Sequence, residues 1–251
     1  MRRHSGLTFA CALTLAACAS TNAQQPHLGA TGVVLVANQQ AASASLIDLK
    51  DGSMIEIPVG NGPHETAISN DGRTGVVTVY GAQQAGNQLA LIDLKTAKVI
   101  KLLDLGQYTR PHGAAFLPGD KQIVATSEST GNIVIVDIAS GNVEAVPTKA
   151  RGSHMLALSS DGSKLFTANI PDGSISEIDV AKKTYVGSNP ISTMTEGVAV
   201  SGDGRFVWVG SNNAMTVTVF DNTTKQKAAT LTMPGAPYRI GVTPEIGRAH
   251  V

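Results

Sequence analysis

SHMLALSSDG, running from Ser153 to Gly162, returns along this chain at a fixed interval. It reads TEGVAVSGDG at Thr195–Gly204, PHGAAFLPGD at Pro111–Asp120 and PHETAISNDG at Pro63–Gly72, with a partial copy, PYRIGVT, at Pro237–Thr243. The second residue of each copy is His64, His112, His154, Glu196 and Tyr238, spaced by 48, 42, 42 and 42 residues. A second marker keeps the same beat. An apolar run closes on Asp48, Asp93, Asp137, Asp179 and Asp221, spaced by 45, 44, 42 and 42. Two markers moving together at this period specify a propeller, a solenoid or an array of repeats.

Period-2 alternation decides among these. One face of the motif strand carries Ala67, Ala115, Ala157, Ala199 and Gly241, and the other carries larger apolar residues such as Phe116, Leu156 and Val198. Strands, not helices, have this period. Each unit runs in one order: motif strand, Asp-Gly-type turn, a second β-rich run (GVVTVYG at Gly75–Gly81, FVWVGS at Phe206–Ser211), the strand ending in Asp, and a fourth strand such as VEAVPT at Val143–Thr148. Asp-Gly supplies the positive φ of a tight hairpin turn. The expected fold is all-β, a β-propeller of four-stranded antiparallel blades, with the motif strand innermost, where converging blades tolerate only small side chains on one face.

Composition narrows the chemistry. Formal net charge is +0 and charged residues make up 15%, which points away from nucleic acid as a partner. Cys11 and Cys18 are the only cysteines and both lie near the N-terminus, so the folded part has neither a disulfide nor a thiol nucleophile.

Residues 1–23 read as an export signal. Met1-Arg2-Arg3 is basic, Leu7 to Ala17 is apolar but too short to span a bilayer, and Leu15-Ala16-Ala17-Cys18 resembles the lipobox of bacterial lipoproteins. Use of the lipobox makes Cys18 the lipidated first residue of a periplasmic protein anchored to the outer membrane; cleavage after Ala19 or Ala23 would instead release it. Residues 24–31 read as a tether and 32–244 as the propeller.

The units, notably LFTANIPDGSISEID (Leu165–Asp179) and VWVGSNNAMTVTVFD (Val207–Asp221), resemble YVTN-type β-propeller repeats of the lactonase-like superfamily. The resemblance covers nearly all of Gly32 to Thr243 and implies seven blades. The sequence holds about five blades' worth: a first unit at Gly32–Val59 without its inner strand, four full units, and an isolated inner strand at Tyr238–Thr243. Glu245 to Val251 (EIGRAHV) breaks the repeat, and the codons GAG ATC GGA AGA GCA CAC GTC, which resemble a common sequencing adapter, encode it. Residues 245–251 are therefore expected to be a non-native read-through tail on a C-terminally truncated propeller. A true five-bladed ring is the competing expectation.

Repeat symmetry gathers residues of one register into a ring. His64, His112, His154 and Glu196 should line one mouth of the central channel. Neutral imidazoles with a carboxylate suit a divalent metal, and His64, His112 and His154 are the candidate ligands, with the same four residues as candidate acid–base groups. A wide ring would hold them too far apart for shared coordination at ~2 Å. Glu65, Arg110, Arg151 and Arg239 flank the register, and the arginines would suit an anionic ligand. No phosphate loop, nucleophile elbow or HExxH motif occurs. Asp48, Asp93, Asp137, Asp179 and Asp221 read as turn formers, and Asn38, Ser127, Asn169 and Ser211 as turn caps.

Two functions follow. One is a monomeric binding or scaffold propeller in the cell envelope, taking a protein, glycan or small-molecule ligand at the channel mouth and touching the membrane only through its N-terminal lipid. The other, implied by the resemblance, is a lactonase-like hydrolase using the His/Glu ring.

Overall fold

The alternating runs fold as the sequence implies, each into a sheet of consecutive antiparallel strands. The structure, a computed structural model, describes residues 30–243 and the backbone of 249–250. Cys18, the signal and most of the tether lie outside the described residues, as does most of the 245–251 tail. The first unit contributes three strands, β1 (Val33–Asn38), β2 (Ser43–Asp48) and β3 (Met54–Pro58). Four four-stranded blades follow: β4 (Pro63–Ile68) to β7 (Lys98–Asp104), β8 (Pro111–Phe116) to β11 (Val143–Pro147), β12 (Ser153–Leu158) to β15 (Thr184–Pro190), and β16 (Thr195–Val200) to β19 (Gln226–Thr232). The architecture is a β-propeller. The described residues hold one single-turn 3-10 helix, Gln39–Ala41, and no helix long and apolar enough to cross a membrane.

The expected last inner strand is shorter than Tyr238–Thr243. Only β20 (Gly241–Val242) is a strand, paired with Ala249–His250, while Tyr238 is 57% exposed and outside it. Two prolines, Pro234 and Pro237, straddle this approach and deprive it of ladder donors.

Blades cohere through apolar clusters formed between neighbours rather than within one sheet. Val76, Leu89, Leu91 and Leu103 of the second blade pack on Phe116, Ile123, Ala125 and Val134 of the third, with Ala67 at the seam. Ala115 holds the same place between the third and fourth blades, and Ala157 between the fourth and fifth. The small residue lets the next inner strand approach, and β4, β8, β12 and β16 succeed one another around the axis, with β1 against β4.

The Asp residues are turn formers, as their recurrence implies. Asp48 Oδ1 accepts from Lys50 N at 2.8 Å, Asp93 from Thr96 N at 2.7 Å, Asp137 from Ser140 N at 2.8 Å, Asp179 from Lys182 N at 2.9 Å and Asp221 from Thr223 N at 2.8 Å. The Asn/Ser register does more than cap. Asn169 is fully buried, accepts from Ser153 Oγ at 2.9 Å and Thr167 Oγ1 at 2.9 Å, and donates to Ser174 and Ser176 across the hairpin.

In the repeated Ser-x-Asp-Gly turn, the Ser159 hydroxyl and the Ser163 amide and hydroxyl converge on Asp161, holding its carboxyl at about 2. A depressed folded-state value stabilises the fold above the unfolded carboxyl range and is lost as pH falls through the folded value. The melting temperature of Asp161→Asn should therefore lie below that of the unmodified chain at neutral pH. The gap should close between roughly pH 4 and pH 2, read by thermal denaturation across pH.

Candidate functional site

Every full blade begins its inner strand with the same irregularity. Pro63 pairs with Val79 and Thr66 with Val77, so His64 and Glu65 together face only Thr78. The same single-residue bulge falls between Pro111 and Ala114, Ser153 and Leu156, and Thr195 and Val198. A bulge bends its strand and re-aims a side chain. Here it holds the slot residues His64, His112, His154 and Glu196 in all four blades.

The residue just before each inner strand is left-handed: Gly62 (φ 65°), Arg110 (φ 53°), Gly152 (φ 59°) and Met194 (φ 54°). Its carbonyl accepts an amide at the end of the second strand, from Tyr80 inside β5 (Thr74–Gly81) and from Glu128, Ile170 and Asn212 just beyond theirs, at 3.0, 3.1, 3.2 and 3.0 Å. Threonine then pins the bulge: Thr78 Oγ1 accepts from Glu65 N and Thr126 Oγ1 from Gly113 N, both at 2.9 Å. The Thr126 hydroxyl donates to His154 O at 2.7 Å, tying the third blade's bulge to the fourth's. A Cβ on Gly113 would meet Leu156 N at 2.9 Å, so the close approach of β12 demands glycine there.

These devices bring the histidines into contact rather than around a wide ring. Ring centroids of His64 and His112 are 4.1 Å apart, and those of His112 and His154 are 3.4 Å apart. His112 is 1% exposed and neither ring nitrogen has a hydrogen-bond partner among the described residues; Nδ1 of His154, itself 9% exposed, has none either. Burial is the main cause holding His112 far below the ordinary imidazole value, with the charge of its histidine neighbours and Arg239 adding to it. Burial and then Arg239 bring His154 down to about 4. Both rings are neutral at neutral pH.

Carboxylates surround the stack. Glu65 Oε1 lies 3.4 Å from His64 Nδ1 and pairs with Arg239, which also reaches Glu196 Oε1 at 3.3 Å. Burial alone would raise the Glu65 carboxyl, but His64 and the Arg239 guanidinium outweigh it and hold it below the usual range. Glu196 is further fixed by the Asn212 amide. Arg239 thereby joins residues from the second and fifth blades. The partial copy of the motif supplies this arginine to the cluster, and not the slot residue Tyr238.

The other two arginines are engaged elsewhere. Arg110 stacks over Tyr80 at 4.8 Å and donates to Ala82 O at 3.3 Å, while Arg151 is held by a bidentate Asp172 at 2.7–2.8 Å on an exposed rim. With three carboxylates against Arg239 and the outlying Arg110, the mouth carries more negative than positive charge.

Two site residues were not singled out from the sequence. The Tyr80 hydroxyl donates to Glu128 Oε2 at 3.0 Å, and that oxygen lies 3.9 Å from His154 Nε2. Burial, then Glu128, raise the Tyr80 phenol. Tyr80, next to last in β5 (Thr74–Gly81), and Glu128 and Asn212, the first residues past β9 (Gln122–Ser127) and β17 (Phe206–Ser211), share one register of the repeat, and this is the signal that could have found them.

A cavity of about 730 Å³ opens at the far end of β16 among Leu158, Val200, Phe206, Trp208 and Val242. Among its polar groups, Ser201 and Asp203 are spent on their own turn and the Ser160 hydroxyl donates to Gly202 O at 2.6 Å. The histidine end is the candidate site, because titratable groups with unused capacity converge there.

Buried nitrogens without partners cost stability, about 1–3 kcal/mol each. His112→Leu, of similar volume, should therefore make the metal-free protein more stable by about 1–3 kcal/mol in urea denaturation. A loss of stability would show that the His112 ring is structurally satisfied.

No family model matches the chain, and no curated protein matches its sequence. Solved structures are similar in fold. Hydrazine synthase from Kuenenia stuttgartiensis aligns at 14% identity with a TM-score of 0.61, covering 90% of this chain and 93% of that one. A 6-phosphogluconolactonase-like protein from Bacteroides uniformis aligns at 19% identity with a TM-score of 0.67, covering 84% and 71%. The likeness shows a β-propeller fold.

Proposed function

We propose that the chain is a ligand-binding propeller of the cell envelope, built from YVTN-type repeats, that takes a small molecule at the histidine mouth of its channel. One observation supports this above the others: residues from four repeats and from the stretch after them, His64, Glu65, His112, Glu128, His154, Glu196 and Arg239, converge on one cluster with His112 and His154 buried at its centre. A fold held together by inter-blade apolar clusters has no need of three stacked, partner-poor imidazoles. The acidic balance of the mouth favours a neutral or cationic ligand over the anionic one that the arginines suggested. The lipobox supports outer-membrane anchoring through Cys18, with the propeller acting as a monomer in the periplasm.

A second reading, lactone hydrolysis, is favoured by the likeness to the Bacteroides uniformis protein together with the His64–Glu65 pair. In that reading Glu65 orients His64 as the general base for water, and Arg239 offers positive charge to the developing oxyanion.

The two separate in one experiment. Thermal-shift screening of a small-molecule library and a lactone panel would compare the unmodified chain with Glu196→Gln at the mouth and Arg151→Gln on the rim. Stabilising ligands that Glu196→Gln loses and Arg151→Gln keeps are the expected result. Lactone opening that disappears in His64→Ala would replace binding by hydrolysis. Stabilisation indifferent to Glu196→Gln would remove the mouth from both readings. In the same cells, Cys18→Ala should move the protein from the membrane fraction to the soluble one.

A further inference from the structure

Two triads of donor atoms lie side by side at the mouth, each with all its atoms within 4.8 Å of one another: His64, Glu65 and His112, and His112, Glu128 and His154. We propose that the second triad binds one divalent transition-metal ion, with His112 and His154 as nitrogen ligands and Glu128 as the oxygen ligand. This rests on the reading that the histidine mouth is the functional surface and specifies what the mouth first takes.

The choice of triad follows from what each carboxylate already does. Glu65 is neutralised by Arg239 and shared with His64, and the guanidinium beside it repels a cation. Glu128 forms no ion pair with a lysine or arginine among the described residues, although Arg110 stacks over the Tyr80 ring beside it. Its Oε2 accepts from the Tyr80 hydroxyl, an outer contact of the kind that orients metal-ligating carboxylates. Both ring nitrogens of His112, which is 1% exposed, lack hydrogen-bond partners among the described residues, and His154 presents Nε2 to Glu128 Oε2 at 3.9 Å. Burial keeps the two rings in the neutral form that a metal requires.

Stoichiometry follows from the shared ring. A neutral imidazole has one lone-pair nitrogen, the other carrying the proton, so His112 serves a single ion. A bound ion would draw the three donor atoms, now within 4.8 Å of one another, to nitrogen and oxygen distances of about 2.0–2.2 Å from itself. Two imidazoles and one carboxylate favour zinc, cobalt, nickel or iron(II) over magnesium or calcium, and leave positions open for a ligand or water.

Cobalt(II) chloride titrated into chelator-treated, tag-free protein, followed by visible absorption and by metal analysis after gel filtration, tests this. One equivalent should bind with the intense bands of low coordination number. His154→Ala and Glu128→Gln should abolish or weaken binding by at least 100-fold, Tyr80→Phe should weaken it by about 10–100-fold, and Glu65→Gln should leave it within a few-fold. Circular dichroism and melting of each variant establish that it is folded, and Ser160→Ala at the far end of the channel serves as a remote control. Two equivalents, no binding, or binding that follows Glu65 rather than Glu128 would overturn the assignment. Small-molecule binding sensitive to Glu196→Gln in a protein that takes no cobalt would sink the metal and leave the mouth standing. Glu128-dependent cobalt binding without any small ligand would do the reverse.

Discussion

One unmatched residue at the start of each inner strand, preceded by one left-handed residue, sets what the centre of this molecule contains. Without the bulge, the slot residue would keep strict alternation and the ladder would run unbroken. With it, the slot side chain turns to the axis and the amide beside it loses its ladder partner. Thr78 and Thr126 take up that amide in the second and third blades. Because Thr126 also holds the carbonyl of His154, the position of one histidine is fixed by the neighbouring blade. The cluster is thus a property of the blade interfaces and exists only when several blades are assembled.

The same assembly divides stability from function. Between blades, Leu, Ile, Val and Phe side chains at or near zero exposure provide the cohesion, each fully buried side chain contributing about 1.5–3 kcal/mol. At the mouth the balance is opposite: imidazole nitrogens are buried without partners, and Arg110 and Met194 hold left-handed backbone that glycine holds in the equivalent positions 62 and 152. Local rules are broken where the chemistry converges and obeyed elsewhere, the pattern expected of a functional site.

Most of the fold was legible because its determinants are local and repeated. The Asp-ended strands, the Asp-Gly turns and the small residues Ala67, Ala115, Ala157 and Ala199 each reported one structural need five or four times over. Repetition also revealed the slot register. What the sequence could not convey was the depth of convergence: the width of the ring, left open by the repeat, is set by the bulge, which leaves no mark on the alternation of apolar residues that follow it. Tyr80 and Glu128 were passed over because they differ in kind between repeats, tyrosine, glutamate, isoleucine and asparagine sharing one register. The partial motif at Pro237–Thr243 was read as a full strand, but Pro234 and Pro237 leave only Gly241–Val242 in the ladder and bring Arg239 inward in place of Tyr238.

That substitution of roles explains the charge of the mouth. His64, His112 and His154 occupy one register of the repeat, and a ring of identical imidazoles would be electrically neutral once buried. Glu196 in that register, with Glu65 and Glu128 beside it, puts negative charge around the ring. Arg239 answers two of these, clasping Glu65 and Glu196 and linking the second blade to the fifth. Glu128 is left with a neutral phenol. An asymmetric ring with one carboxylate not matched by a cation, next to two unprotonated imidazoles, has a defined side on which positive charge is stabilised. The repeat supplies the scaffold for that site, and departure from the repeat gives it direction.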